Sequence, residues 1–103
     1  MTELRRISIE KAQALIGEQN PVIVDVRDPQ SYRMSRIQGA VHLSNDNIGS
    51  FLHETDRQRP VLVYCYHGNS SISAGQFLAE QGFAEVMSMD GGFESWRAQY
   101  PVE

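Results

Sequence analysis

The stretch Val61–Ser73, VLVYCYHGNSSIS, constrains this chain more than any other part of it. Val61, Leu62, Val63 and Tyr64 read as a buried strand, and the only cysteine, Cys65, stands at its end. Tyr66, His67, Gly68, Asn69 and Ser70 form a short polar loop, and Ser71 opens an amphipathic segment. A thiol at the carboxyl end of a strand, wrapped by a loop that turns directly into a helix, lies in a ring of backbone N–H groups. Such a ring binds anions and favours thiolate over thiol. An inert buried thiol under a capping loop would use the same residues, so the rest of the chain has to separate the two readings.

The elements on either side alternate. Residues 5–9 form a short edge strand, and Ser8 caps a helix over Ile9–Ile16 that closes near Gly17. Val22–Val26 is β-branched and nearly all apolar, as a strand covered on both faces should be. Asp28-Pro29 is a cap followed by proline at the first helical position, which predicts a helix over Pro29–Met34. Gly39 breaks the chain, Ala40–Leu43 is a short strand, and Asn45 or Asn47 caps a short helix carrying Ile48, Phe51 and Leu52. After the cysteine loop, Ala74, Phe77 and Leu78 are the expected buried stripe of a helix ending at Gly82. Glu85–Met89 is a strand, Asp90-Gly91-Gly92 a tight turn, and Phe93, Trp96 and Tyr100 share a face of a last helix stopped by Pro101.

Strand and helix in alternation with short loops predict an α/β fold, a parallel sheet with helices on both faces. In such sheets ligands bind outside the carboxyl ends of the strands. The loops after Val26, Leu43, Tyr64 and Met89 then share one edge, and Cys65 stands on it. That placement favours the reactive reading.

Composition closes several alternatives. A chain of 103 residues is expected to form one domain, residues 1–103. The net charge of −4 leaves no footprint for nucleic acid or for an anionic membrane surface. A single cysteine makes no intramolecular disulfide, and no Cys/His spacing here forms a zinc site. The start, MTELRRISIE, lacks the apolar core of a signal peptide, which points to the cytoplasm.

The loop also selects among cysteine chemistries. A cysteine phosphatase needs an arginine six residues after its nucleophile to fork onto the phosphoryl oxygens, and here that position is Ser71. A phosphatase or an arsenate reductase therefore ranks last. A CxxC redox pair is absent because Gly68 occupies the partner position. What remains is a thiolate that accepts a small electrophile, such as a sulfur atom, and passes it on.

CYHGNSS, with VDVRDPQSY and IQGAVHLSND upstream and DGGFESW downstream, resembles the rhodanese family. The likeness spans residues 22–97 and is greatest to the short single-domain thiosulfate sulfurtransferases of the GlpE type. It implies a rhodanese-like five-stranded parallel sheet and a double displacement in which thiosulfate gives its outer sulfur to Cys65 and leaves as sulfite. Cyanide, a small thiol or a thioredoxin-like dithiol protein then takes the sulfur. By the same resemblance Cys65 is the nucleophile, and Tyr66, His67, Gly68, Asn69 and Ser70, with Ser71 beside them, bind the substrate sulfur. No metal or organic cofactor is required. A non-enzymatic rhodanese-like binding module and a persulfide sulfur carrier are the alternatives.

The chain departs from the family in two places. Basic side chains common in this loop are represented only by His67, and Ser35-Arg36 stands where Gly-His often precedes the Ile-x-Gly-Ala turn. Asp25 and Arg27 reach the active edge, where a structural ion pair suits them better than substrate contact. His42 and His53 fall in ordinary strand and helix patterns.

Overall fold

The computed structural model describes residues 3–103; Met1 and Thr2 of the expected domain lie outside the described residues. Its elements alternate along the chain: β1 (Leu4–Ile7), α1 (Ile9–Gln19), β2 (Val22–Asp25), α2 (Pro29–Met34), β3 (Val41–His42), α3 (Ile48–Glu54), β4 (Val61–Tyr64), α4 (Ser70–Glu80), β5 (Val86–Met89) and α5 (Gly92–Arg97). The strands form one sheet in the order β1-β5-β4-β2-β3, and every neighbouring pair is parallel. The expected five-stranded parallel sheet is therefore the observed one.

The strand β4 is central because all four of its side chains are fully covered. Alternation divides them between two cores. Leu62 and Tyr64 join Ile9, Ala12, Phe93 and Trp96 on the face of α1 and α5. Val61 and Val63 join Leu78, Ala79 and Phe83, with Phe51 and Leu52 packed alongside, on the face of α3 and α4. Burial of each such aliphatic side chain contributes about 1.5–3 kcal/mol. The central strand, and with it the position of Cys65, is thus held from both sides.

Several boundaries differ from expectation. α1 continues through Gly17, where the helix faces open space, and ends when Asn20 adopts the left-handed conformation at φ 49°. Asn47 precedes α3 without capping it, because its side chain is drawn back to accept from Ser44 N–H and donate to the His42 carbonyl. β3 is only Val41–His42, although the Leu43 N–H still donates to the Asp25 carbonyl at 2.9 Å. The largest difference lies in α4. Its buried stripe is Ser71, Gly75, Leu78 and Ala79, and Phe77 is 42% exposed. Gly75 sets that phase: a Cβ there would stand 2.6 Å from the Leu4 side chain, so the helix lies close over β1 on its glycine.

Candidate functional site

Chain direction brings the carboxyl ends of β2, β4 and β5 to one edge, and three turns meet there. The first is the cysteine loop. Cys65 is buried, and its Sγ accepts the Gly68 N–H at 3.1 Å. Gly68 reaches this geometry at φ 96°, and a Cβ on it would meet Gly91 N at 3.0 Å. The hydroxyl of Ser71, in the first turn of α4, stands 3.4 Å from the same sulfur.

These bonds set the acidity of the thiol. Burial works against the charge most strongly, but the Ser71 hydroxyl and the N–H groups of Ser71, Gly68 and His67 together outweigh it. The Cys65 pKa is therefore held below that of an ordinary thiol. Dipoles thus favour the anionic form of this sulfur, and the N-terminus of an eleven-residue helix stands behind it.

The second turn joins β5 to α5. Gly91 and Gly92 both have positive φ, and their backbone passes directly under the cysteine loop. Phe93 N–H donates to the Cys65 carbonyl at 2.8 Å, and Glu94 N–H donates to the Tyr66 carbonyl at 3.0 Å. These two bonds satisfy two of the free donors in the first turn of α5 and commit the Cys65 and Tyr66 carbonyls to that helix.

The third turn follows β2. The Arg27 guanidinium forks onto Asp25, Nη2 donating to Oδ2 at 2.7 Å and Nε to Oδ1 at 3.1 Å, and it donates to the Ser35 carbonyl at 2.6 Å. It lies over the Phe93 ring with the carbon 4.1 Å from the centroid. Both charged groups are covered, which confirms the structural ion pair expected of them. All of its charge is committed within the wall. His42 fastens the same turn, its Nε2–H donating to the Arg27 carbonyl at 2.6 Å. His53 is exposed in the last turn of α3.

Of the residues singled out in the sequence, Gly68 is buried against the neighbouring turn and Ser71 lies fully covered beneath the sulfur. Tyr66 is half-buried, its ring edge-on to Phe93. His67 is exposed with its ring 5.2 Å from that of Tyr66, and Asn69 and Ser70 are exposed at the mouth. The loop's only ionisable cation thus stands at the rim. A groove of about 580 Å³ opens on the same edge between Val26, Leu43 and the Ala74 and Phe77 face of α4. A larger hollow, about 940 Å³, lies at the opposite end of the sheet around Glu3, Glu80 and Glu85, away from the sulfur.

Sequence reasoning missed Ser88. It is fully buried in β5 and its Oγ lies 2.8 Å from that of Ser71. The available signal was a single hydroxyl inside the apolar strand VMSM.

Residues 8–99 match the rhodanese-like domain family. Over all 103 residues the chain is 54% identical to a thiosulfate sulfurtransferase GlpE of Pseudomonas syringae pv. syringae, covering 96% of that protein. It is 52% identical to the protein of the same name in Pseudomonas fluorescens, covering 94% of it. The solution structure of a rhodanese-like domain from Anabaena superposes with a TM-score of 0.85 at 25% identity, covering 95% of this chain and 77% of that one.

Proposed function

This chain belongs to the rhodanese family and is a thiosulfate sulfurtransferase, and we propose that it moves sulfane sulfur through a persulfide on Cys65. The Cys65 thiolate attacks the outer sulfur of thiosulfate. A sulfur–sulfur bond forms to Cys65, the bond to the sulfite sulfur breaks, and sulfite leaves with the electron pair. In the second displacement cyanide, a small thiol or a thioredoxin-like dithiol protein attacks the outer sulfur, and Cys65 leaves as thiolate. Neither step requires a metal or an organic cofactor.

The observation that carries this reading is the set of bonds on Sγ, because it stabilises a negative sulfur both when it attacks and when it leaves. Gly68 lets the loop wrap the sulfur, and the N–H groups of Tyr66 through Ser71 form the cradle for the outer, charged sulfur of the persulfide. Asn69 and Ser70 border the opening through which donor and acceptor arrive, and Tyr66 and His67 shape its rim. Arg27 is spent on Asp25 and Ser35, so backbone dipoles carry the recognition of the anion. The cytoplasm, with its supply of thiols, is the compartment that suits this chemistry, and one rhodanese domain, residues 1–103, performs it.

Incubation with thiosulfate should add one sulfur atom to the intact protein, removable by cyanide and absent from Cys65→Ala. Intact-mass spectrometry reads this directly. No adduct, or the same adduct on Cys65→Ala, would overturn the reading and leave a non-enzymatic binding module. Loading from a protein persulfide but not from thiosulfate would make the chain a sulfur carrier instead.

A further inference from the structure

Ser88 is a polar side chain that the reaction as described does not use. It sits on the central part of β5 between Met87 and Met89, both of them buried, and is itself 0% exposed. Among the described residues its hydroxyl has one hydrogen-bond partner, the Ser71 hydroxyl at 2.8 Å. Ser71 in turn is 0% exposed and stands between Ser88 and the Cys65 sulfur.

Counting protons along this chain gives it a direction. Each hydroxyl has one proton to donate. Among the described residues Ser88 has Ser71 Oγ alone to receive its proton, and a buried donor left without an acceptor is destabilising. As a neutral thiol Cys65 donates to Ser71 Oγ at 3.4 Å; with Ser88 also donating to Ser71, the Ser71 proton finds a partner only when the sulfur has given up its own and accepts it. A thiol would have to offer its own proton against that arrangement, whereas a thiolate accepts from it. The relay therefore selects the charged sulfur before any substrate arrives.

We propose that Ser88 is a positioning residue for sulfur transfer, which acts through Ser71 to hold a hydroxyl proton on Cys65 Sγ. This rests on Cys65 being the nucleophile. Its effect falls on the free enzyme, where the thiolate attacks the donor, and on the second displacement, where the same thiolate is the leaving group. Once the persulfide has formed, the charge resides on the outer sulfur and the loop N–H groups take over.

Other charges around the sulfur do not duplicate this. Arg27, from the β2 turn, is held by Asp25; Asp90, after β5, is held by Arg6; Glu94, in α5, is held by Arg97. His67 is exposed on the loop itself. Burial and hydrogen bonds are what act most strongly on the thiol.

The test is the pH profile of Cys65 alkylation by iodoacetamide in the intact protein. Ser88→Ala should move the midpoint upward and slow alkylation at neutral pH by about threefold to tenfold, tenfold corresponding to one unit of acidity. In a Ser71→Ala background the same Ser88 substitution should move nothing further, because the relay is already cut. An unchanged midpoint in Ser88→Ala would overturn the proposal, and so would an equal shift in both backgrounds. If Ser88→Ala does not fold, Ser88→Thr and Ser88→Val, matched in shape, isolate the hydroxyl: the threonine variant should keep the low midpoint and the valine variant lose it. Equal midpoints for that pair would also overturn it. Failure of alkylation to follow the relay while thiosulfate still loads Cys65 would reject the role of Ser88 and leave the persulfide mechanism standing.

Discussion

Gly92 meets the Cys65 carbonyl so closely that a Cβ on Gly92 would stand 2.6 Å from that oxygen and 2.5 Å from the carbonyl oxygen of Tyr66. Both obstacles are backbone, and the next two N–H groups of the chain donate to the same carbonyls. The glycine is thus where the β5 turn and the cysteine loop are locked together.

Gly92→Ala should therefore damage stability and chemistry at once. The positive φ of 63° and the backbone clash point to a loss of about 3 kcal/mol or more. Thermal denaturation reads the stability, and sulfur loading from thiosulfate should fall well beyond the fraction unfolded, since the loop's N–H groups lose their aim. Gly39→Ala is a useful comparison, because that glycine also has positive φ but faces open space. A Gly92→Ala protein no less stable than Gly39→Ala would show that the two turns are not locked.

Arg27 gives a second prediction. Arg27→Ala leaves the Asp25 carboxylate buried without its partner, and breaking such a pair costs about 3–5 kcal/mol. Arg27→Lys keeps the charge but loses the fork to Asp25, the bond to Ser35 and the stacking over Phe93, so it should recover only part of the loss. Urea denaturation of the three proteins separates charge from geometry. Full recovery by lysine would mean that charge alone holds the turn.

What the sequence made legible, and what it hid, follows from the range of the interactions. The run from Val61 to Ser71 was readable because strand, loop and helix are set by near neighbours: an apolar run, a glycine at positive φ and a serine-rich helix start. The Asp25–Arg27 pair was readable for the same reason, being two residues apart. Ser88 was not, because its hydrogen-bond partner lies 17 positions away and hydropathy reports nothing about a hydroxyl in a dry strand. Helical spacing alone places Phe77 in the core, where the structure leaves it 42% exposed. The true phase of α4 depends on Gly75 lying over Leu4, a contact between distant parts of the chain. The closure of Gly92 on Cys65 was hidden likewise, since a Gly-Gly turn announces flexibility but not its neighbour.

The lowered pKa of Cys65 has a consequence for stability as well as for rate. The folded thiol gives up its proton at lower pH than the unfolded one, so between the two values the unfolded state binds more protons and stability rises with pH. The contribution is present above the unfolded value, about 8.5, and is lost as pH falls through the folded value. The stability of the native protein relative to Cys65→Ala should therefore increase as pH is raised toward the unfolded value. A difference independent of pH would mean that the folded thiol is no more acidic than a free one.

Tyr64 predicts the opposite slope at the alkaline end. Burial foremost, and then the hydrogen bond and charge of Asp25, push its hydroxyl far above the ordinary range, while the Ile37 N–H donates to its oxygen at 3.2 Å. The folded state thus keeps a proton that the unfolded chain releases near pH 10, and the associated stability, complete below that pH, is lost as pH climbs above it. Tyr64→Phe should cost about 1–3 kcal/mol at neutral pH by leaving the Ile37 N–H without an acceptor. Above pH 10 the gap between the two proteins should narrow, because only the native chain has this proton to lose, the other tyrosines being common to both. Chemical denaturation at a series of pH values from 8 to 11 measures the gap. Curves that stay parallel across that range would show that Tyr64 is not held neutral by its burial under the sheet edge.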